Sequence, residues 1–325
     1  AERFGLDLRR MGSQAWILGR MSTLVAEIEA LGVESIGARP RLEVPLYAAI
    51  AQLLLASSNA AYLAGDIHLY AALGLTIIEL GLAHGIEAAT GVAFVQLALV
   101  VASTLADYEA ARRYCDVGFA LLERCPDASL QGMSWVIKGS TIQPWIEPMA
   151  ASLPSLRAAH VQLRACGMLT NAGYASFCEL LNAFAIGRTL PRVVEDAQRC
   201  AAYLESIGDR PLLLATHAHL RACELLSAAR PGGSGLTLVD ATPEQLTPAS
   251  RFVVHGLRAI VCWMLEDRAG LRAAIEDGNP ALSAGTGMFT RVVFDVIAAA
   301  DACSDYAEAD ARAQALLETK ARQTL

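Results

Sequence analysis

Apolar residues recur along the chain at intervals of three and four, the spacing that places them on one face of an α-helix. Residues 107–123 show this spacing, with charged residues on the opposite face. No segment alternates between apolar and polar positions over the length of a strand with hairpin signals at its ends. The pattern therefore predicts an all-α fold. The apolar or small positions of residues 107–123 are Tyr108, Ala111, Cys115, Phe119 and Leu122.

Proline, glycine and acidic residues at the ends of the apolar runs set the expected helix boundaries. We interpret residues 34–41 as a loop. The stretch 230–247 is rich in glycine and proline and is the best internal boundary. We therefore divide the chain into a main helical-repeat array (1–229), a loop (230–247) and C-terminal repeats (248–325) that continue the same array. The predicted helices span 12–31, 45–63, 66–84, 88–106, 107–123, 128–142, 148–166, 171–187, 191–207, 211–229, 248–266 and 287–303.

The helix ends recur at a fixed interval. His84-Gly85, Cys125-Pro126, Cys166-Gly167 and Ile207-Gly208 each close a helical stretch, and positions 84, 125, 166 and 207 are 41 residues apart. A fixed period between about 20 and 50 residues is typical of arrays in which one helix pair cannot bury its apolar face alone. The interval exceeds the roughly 34 residues of a tetratricopeptide unit. It predicts a tetratricopeptide-like α-solenoid of antiparallel helix pairs with a period of about 41 residues.

The amino-acid composition of the chain excludes several classes of protein and of binding partner. Hydrophobic residues make up 54% of the chain, which excludes a disordered protein. There are 26 lysines and arginines against 33 aspartates and glutamates, so we expect no nucleic acid as partner. The uncharged stretch 88–106 has nearly the length of a membrane span, but we interpret it as a buried helix and expect no membrane association. Eight cysteines without a C-x-x-C pair indicate reduced thiols and a cytoplasmic protein.

Motifs for catalysis are missing from the sequence. It contains no phosphate-binding loop, no dinucleotide fingerprint, no nucleophile elbow and no H-E-x-x-H pair. His217 and His219 are two residues apart on a predicted helix and point to different sides, so they cannot share a metal ion. We therefore assign no catalytic, cofactor-binding or metal-binding residue and expect this chain to be neither an enzyme nor a cofactor carrier.

A short proline- and tryptophan-containing motif lies between two predicted helices. Pro144 and Pro148 bracket Trp145, and this spacing predicts a tight connection because proline disfavours a helix interior. One interpretation is a partner or ligand contact through the indole ring. The other, which we favour, is structural. In it, Trp145 is mostly buried at a corner between repeats and Pro148 starts the next helix.

Residues 69–204, with a short piece ahead of them, resemble the helical segment of large bacterial signalling proteins. Those proteins join a serine/threonine kinase domain, an AAA-type ATPase, a helical repeat region, a GAF domain and a sensor histidine kinase. The matching pieces, in order, are AYLA (61–64), LTIIELGLAHG (75–85), DYEA (107–110), LLER (121–124), QPWIEP (143–148), SLP (152–154) and YASFC (174–178).

The resemblance implies tetratricopeptide-like repeats located between the ATPase and the sensor modules, and no catalytic residue is carried over. We expect the chain to act as a scaffold or signal-transmission segment that contacts neighbouring domains of the same protein, or a peptide or protein in its concave groove. The alternative is a small-molecule-sensing helical segment of an ATPase-type transcription regulator. The chain begins Ala1-Glu2-Arg3 without a signal peptide and ends in a helix-like run, so we expect both ends to continue into a longer protein.

Overall fold

The computed structural model describes residues 14–228 and 236–304, together with residues 306 and 314. Helices occupy nearly all of this part of the chain, and its only β-type pairing is an isolated bridge between Arg41 and Ile86. The prediction of an all-α fold is confirmed. Residues 230–235 of the predicted 230–247 loop, the first two residues of the predicted 12–31 helix and most of the C-terminal helix-like run lie outside the described residues.

The chain forms two compact units, residues 1–179 and residues 180–325, divided within one helix. In the first unit the helices are α1 (Gln14–Leu31), α2 (Val33–Ile36), α3 (Pro45–Leu63), α4 (Ile67–His84), α5 (Ala88–Leu105), α6 (Tyr108–Arg124), α7 (Ala128–Ile137), α8 (Gln143–Ile146), α9 (Ser152–Ala165) and α10 (Leu169–Ala185), which runs across the division. The second unit continues with α11 (Leu190–Ile207), α12 (Arg210–Ala228), α13 (Pro248–Met264), α14 (Arg268–Gly278) and α15 (Phe289–Ser304).

Aspartate side chains begin several of these helices. The carboxylate of Asp66 accepts a hydrogen bond from the Leu69 amide at 2.9 Å, and Asp107 accepts one from Ala110 at the same distance. Asp127 and Asp267 repeat the arrangement at α7 and α14. Such caps satisfy amides that have no partner inside the helix and typically stabilise it by about 1 kcal/mol. The acidic residues before apolar runs are therefore the sequence signal that fixes these helix starts.

The core of the first unit is built around α5. Its residues from Ala89 to Ala102 are all buried, and α4 contributes a second buried run from Tyr70 to Ile78. Because neighbouring helices surround it, α5 needs no polar face, which accounts for its uncharged sequence. Among the helices of the described residues, α3, α4 and α5 are nevertheless long and apolar enough to cross a membrane by length and composition.

Two glycines allow α5 and α6 to pack unusually closely. A Cβ atom at Gly118 would lie 2.6 Å from the carbonyl oxygen of Gly91 and 2.7 Å from Cγ2 of Val95. A Cβ atom at Gly91 would lie 2.8 Å from the carbonyl oxygen of Gly118. Real side chains do not approach backbone atoms this closely, so the two helices meet backbone to backbone at this crossing.

In the second unit, aromatic and aliphatic side chains of α13 and α15 form one part of the core. Phe252 and Phe294 are both buried and pack edge to face with ring centroids 6.0 Å apart. A second cluster joins the C-terminal part of α10 to α11 and α12 through Leu180, Val193, Ala197 and Cys223. Each of these positions belongs to an apolar stripe visible in the sequence.

The helix predictions need three corrections. The short helix α2 lies in the stretch 34–41, which we interpreted as a loop. Helix α14 and the 3-10 turn Asn279–Gly285 occupy a region without any predicted helix. The helix predicted over 128–142 does not stop there, since a π-helical turn, Lys138–Ile142, joins α7 directly to α8. Its physical cause lies at Pro144, described below.

Candidate functional site

The outward side of α3 is the most unusual surface of the first unit. Leu53 is 68% exposed and Leu46 56% exposed, and Ala49, Ala56 and Ala60 are exposed on the same side. These five residues fall at helical spacing on one arc, which we call the α3 face. The whole helix of 19 residues contains no charged side chain. An exposed, contiguous apolar strip of this kind marks an interaction surface more often than a solvated one.

Other helices show what a solvated face looks like in this chain. The outward side of α6 carries Arg112, Arg113, Asp116 and Glu123, all exposed. On α11 the exposed pair Arg192 and Glu195 forms an ion pair at 2.8 Å. These helices separate apolar and charged residues in the ordinary way of a surface helix. The α3 face does not follow this separation, because its exposed side chains are apolar. Contact with solvent does not explain them.

The inner side of α3 holds the α3 face in place. Leu54, Leu55 and Ala61 are buried in the core of the first unit. The hydroxyl of Ser58 accepts a hydrogen bond of 2.7 Å from Nε2 of Gln96 on α5, and both side chains are buried. At the start of the helix the ring of Tyr47 stacks on His84 of α4, with centroids 3.9 Å apart. The α3 face is therefore a preformed surface on a packed helix.

Pro144 explains the π-helical turn in front of it. A proline inside an α-helix has no amide to donate, and its ring collides with the carbonyl four residues earlier. Here the amide of Gln143 donates to the carbonyl of Lys138, five residues back, which widens the helix just before the proline. The helix then continues to Ile146, and Pro148 precedes a 3-10 turn that leads into α9. The predicted tight connection is thus a bulged helix followed by a short break.

Trp145 lies at the edge of the core of the first unit. Its side chain is partly buried and stacks on Tyr108 of α6, with centroids 6.0 Å apart and ring planes within 7° of parallel. Tyr108 itself is 40% exposed. Nearby, Nη2 of Arg112 donates to the carbonyl of Ile146 at 2.6 Å, which ties α8 to α6. The pair of rings is packed on one side and open to solvent on the other, so the prediction of a mostly enclosed indole holds only in part.

Trp145→Ala should lower the free energy of unfolding by about 1–2 kcal/mol, less than emptying a core site, because only part of the ring and its stacking on Tyr108 are lost. Urea denaturation followed by circular dichroism measures the change. Trp263→Ala is the matched control, since Trp263 is 44% exposed on α13, and it should stay within about 0.5 kcal/mol of the parent chain. A loss for Trp145→Ala no larger than that for the control would contradict the packing role.

The titratable groups of the described residues show no arrangement typical of catalysis. No group of three His, Cys, Asp or Glu side chains is close enough to hold a metal ion in that part of the chain. His219 is fully buried in α12, whereas His217 is exposed, so the two do not converge. Burial raises the pKa of Cys115 to about 12 and the pKa of Cys223 to about 11, which keeps both thiols protonated and unreactive.

Comparison of the chain with protein-family models, curated proteins and solved structures gave no match. The site therefore has to be interpreted from its own geometry. Sequence reasoning selected Trp145 and missed the α3 face, although the signal was present: residues 45–63 are helical in pattern and contain no charge for an outer side.

Proposed function

We propose that this chain is a non-catalytic helical scaffold whose α3 face binds an apolar helical surface of a neighbouring domain in the same polypeptide. The observation that carries the proposal is the exposed, uncharged α3 face on a helix whose inner side is packed into the core. Alanines at three of its five positions let another helix approach closely, and Leu46 and Leu53 supply the apolar area to be buried.

The helix boundaries support a tetratricopeptide-like array as the form of this scaffold. Four consecutive helical stretches end at His84, Arg124, Ala165 and Ile207, which are 40 to 42 residues apart, and all but the third consist of two long helices. Glycines with positive φ follow at 85, 167 and 208, where left-handed backbone ends a helix with little strain. This spacing supports the proposal of a period of about 41 residues, and we propose that the pairs stack as a solenoid.

The resemblance to multidomain signalling proteins supports the choice of occupant. In such a protein the scaffold lies between an ATPase and the sensor modules and transmits the state of one to the other in the cytoplasm. The coding sequence on either side of the chain tests this context. We expect a phosphate-binding loop upstream and a histidine-kinase module downstream, and open reading frames without either would contradict it.

Binding between the chain and the flanking domains, expressed separately, tests the α3 face by isothermal titration calorimetry. Leu53→Glu should weaken binding roughly tenfold or more, because it places a charge in the centre of an apolar contact. The matched control is Val161→Glu on α9, where Val161 is 65% exposed beside charged residues, and it should leave binding unchanged. Both variants should melt like the parent chain, since neither side chain is buried.

Three results would overturn this assignment. Equal binding of Leu53→Glu and the parent chain would remove the α3 face from the contact. Self-association in light scattering that Leu53→Glu abolishes would make a second copy the occupant. Sedimentation of the chain with phosphatidylcholine vesicles, lost in the same variant, would make the face a membrane-binding surface.

A second candidate function is a small-molecule-sensing helical segment of an ATPase-type transcription regulator. One observation favours it: the second unit contains a cavity of about 320 Å³ between α13 and the segment before it. That volume lies at the lower end of the range of ligand sites in proteins, about 300–1,000 Å³.

A further inference from the structure

The cavity of the second unit has one basic wall. Arg251, His255 and Arg258 lie on α13 at intervals of four and three residues, so they share one side of the helix and all line the cavity. Leu238, Val239 and Leu246, which also line the cavity, come from the segment before α13. The remaining lining residues are Thr237, Ala241, Val254 and Asp277.

Two of the basic side chains, Arg258 and His255, have hydrogen-bonding capacity that the protein does not use. Nε of Arg258 and Nδ1 of His255 are buried and have no hydrogen-bond partner. The guanidinium of Arg258 donates instead through Nη1, to the carboxylate of Asp277 at 2.9 Å. Buried polar atoms without partners are uncommon in folded proteins, and each calls for an explanation such as a bound ligand.

Positive charge exceeds negative charge on the cavity wall. The wall carries two guanidinium groups and one carboxylate, and the side chain of Asp277 is 51% exposed. The carboxylate of Glu244, on the exposed segment before α13, does not line the cavity but interacts electrostatically with Arg251. The pKa of His255 is lowered by burial, raised by Asp277 and lowered by Arg258 and Arg251, so all three charges act on the imidazole from close by.

The rest of the lining limits the shape of a ligand. Leu238, Val239, Leu246 and Val254 supply the apolar part of the lining, and Val254 lies next to His255 on α13. A ligand that matches both the basic and the apolar lining has an anionic group for the arginines and a short apolar body. Planar carboxylates suit guanidinium groups, which bind them through paired hydrogen bonds.

We infer that this cavity binds a small carboxylate with a short apolar body, its carboxylate held by Arg251 and Arg258 and its body packed on the leucine and valine side chains. The inference rests on the second candidate function, small-molecule sensing, and names the class of ligand. It does not depend on the α3 face.

Isothermal titration calorimetry of the whole chain tests it with three probes: hexanoate, its neutral counterpart hexanamide, and inorganic phosphate. Hexanoate should bind with a Kd near or below about 1 mM, and hexanamide and phosphate at least roughly tenfold more weakly. Arg251→Gln should weaken hexanoate binding roughly tenfold. Asp277→Asn should tighten it about threefold, because the competing carboxylate is gone. A gain in affinity cannot come from misfolding.

Arg221→Gln is the control, since Arg221 pairs with Glu224 on the surface of α12 and does not line the cavity. It should bind hexanoate like the parent chain. Equal binding of hexanamide and hexanoate would overturn the carboxylate inference and leave small-molecule sensing standing. Tighter binding of phosphate than hexanoate, or an unchanged Kd in both Arg251→Gln and Asp277→Asn, would overturn it too. If none of the probes binds, the inference is wrong, and a screen of neutral small molecules then decides the second candidate function separately.

Discussion

Gly118→Leu should lower the free energy of unfolding by about 3 kcal/mol, the upper part of the range for overfilled cores. A side chain at this position meets the Gly91 carbonyl oxygen and Val95, so α5 and α6 have to separate along their whole crossing. Leucine favours helix over glycine, and the loss therefore reports on packing alone. Chemical denaturation followed by circular dichroism measures it, and Gly118→Ala should give a smaller loss in the same direction.

Gly256→Ala provides the control for this prediction. Gly256 is helical and buried in α13, but apart from its chain neighbours and the backbone of its own helix nothing lies within 4 Å of a Cβ atom placed there. The substitution should stabilise the chain by about 0.5–1 kcal/mol, the helix-propensity gain of alanine over glycine. Opposite signs for alanine at 118 and at 256 are the expected result. A gain at both positions would show that α5 and α6 are not in backbone contact.

His219 should make the second unit sensitive to mild acid. Burial lowers its pKa from 6.5 to about 4, while Nδ1 donates to the Ala215 carbonyl at 3.0 Å. The unfolded chain therefore takes up a proton at this residue at a higher pH than the folded chain. The stability that the buried neutral imidazole contributes to the folded chain is fully present above pH 6.5 and is lost as the pH falls toward 4. The expected loss reaches about 3 kcal/mol at the acid end.

The measurement is the free energy of unfolding of the parent chain and of His219→Gln from pH 7.5 to pH 4.5. His219→Gln should be less stable at pH 7.5, because it loses the edge contact with Phe184, but its stability should fall less steeply with acid. His217→Gln is the control, since His217 is exposed on the same helix, and it should follow the parent chain. Equal pH slopes for His219→Gln and the parent chain would contradict the burial of a neutral imidazole.

Local chemistry made most helix boundaries predictable. Proline at the first turn and the apolar spacing place α3 at residues 45–63 in both sequence and structure. Asp66 and Asp107 mark the starts of α4 and α6 in the same way. These signals act within a few residues, and tertiary contacts do not change them.

Features that depend on tertiary structure were not predictable. The π-helical turn before Pro144 arises because packed neighbours keep the helix together across a residue that would end it in isolation. Periodicity locates the inner side of α3, but it does not show whether another helix covers the outer side. The basic cavity is lined by residues of α13, by the segment before α13 and by Asp277. No spacing pattern in the sequence indicates that these three parts lie together.

The most direct test of the proposed scaffold is the solvent access of the α3 face in the isolated chain and in the longer protein to which we propose it belongs, here called the full-length protein. The exposed Cys166 and Cys303 are first replaced by serine, and Leu53→Cys or the control Val161→Cys is then labelled with a maleimide. We expect Leu53→Cys to react readily in the isolated chain and at least roughly tenfold more slowly in the full-length protein, while Val161→Cys reacts alike in both. Equal labelling of Leu53→Cys in the two proteins would contradict the proposal that a neighbouring domain covers this face.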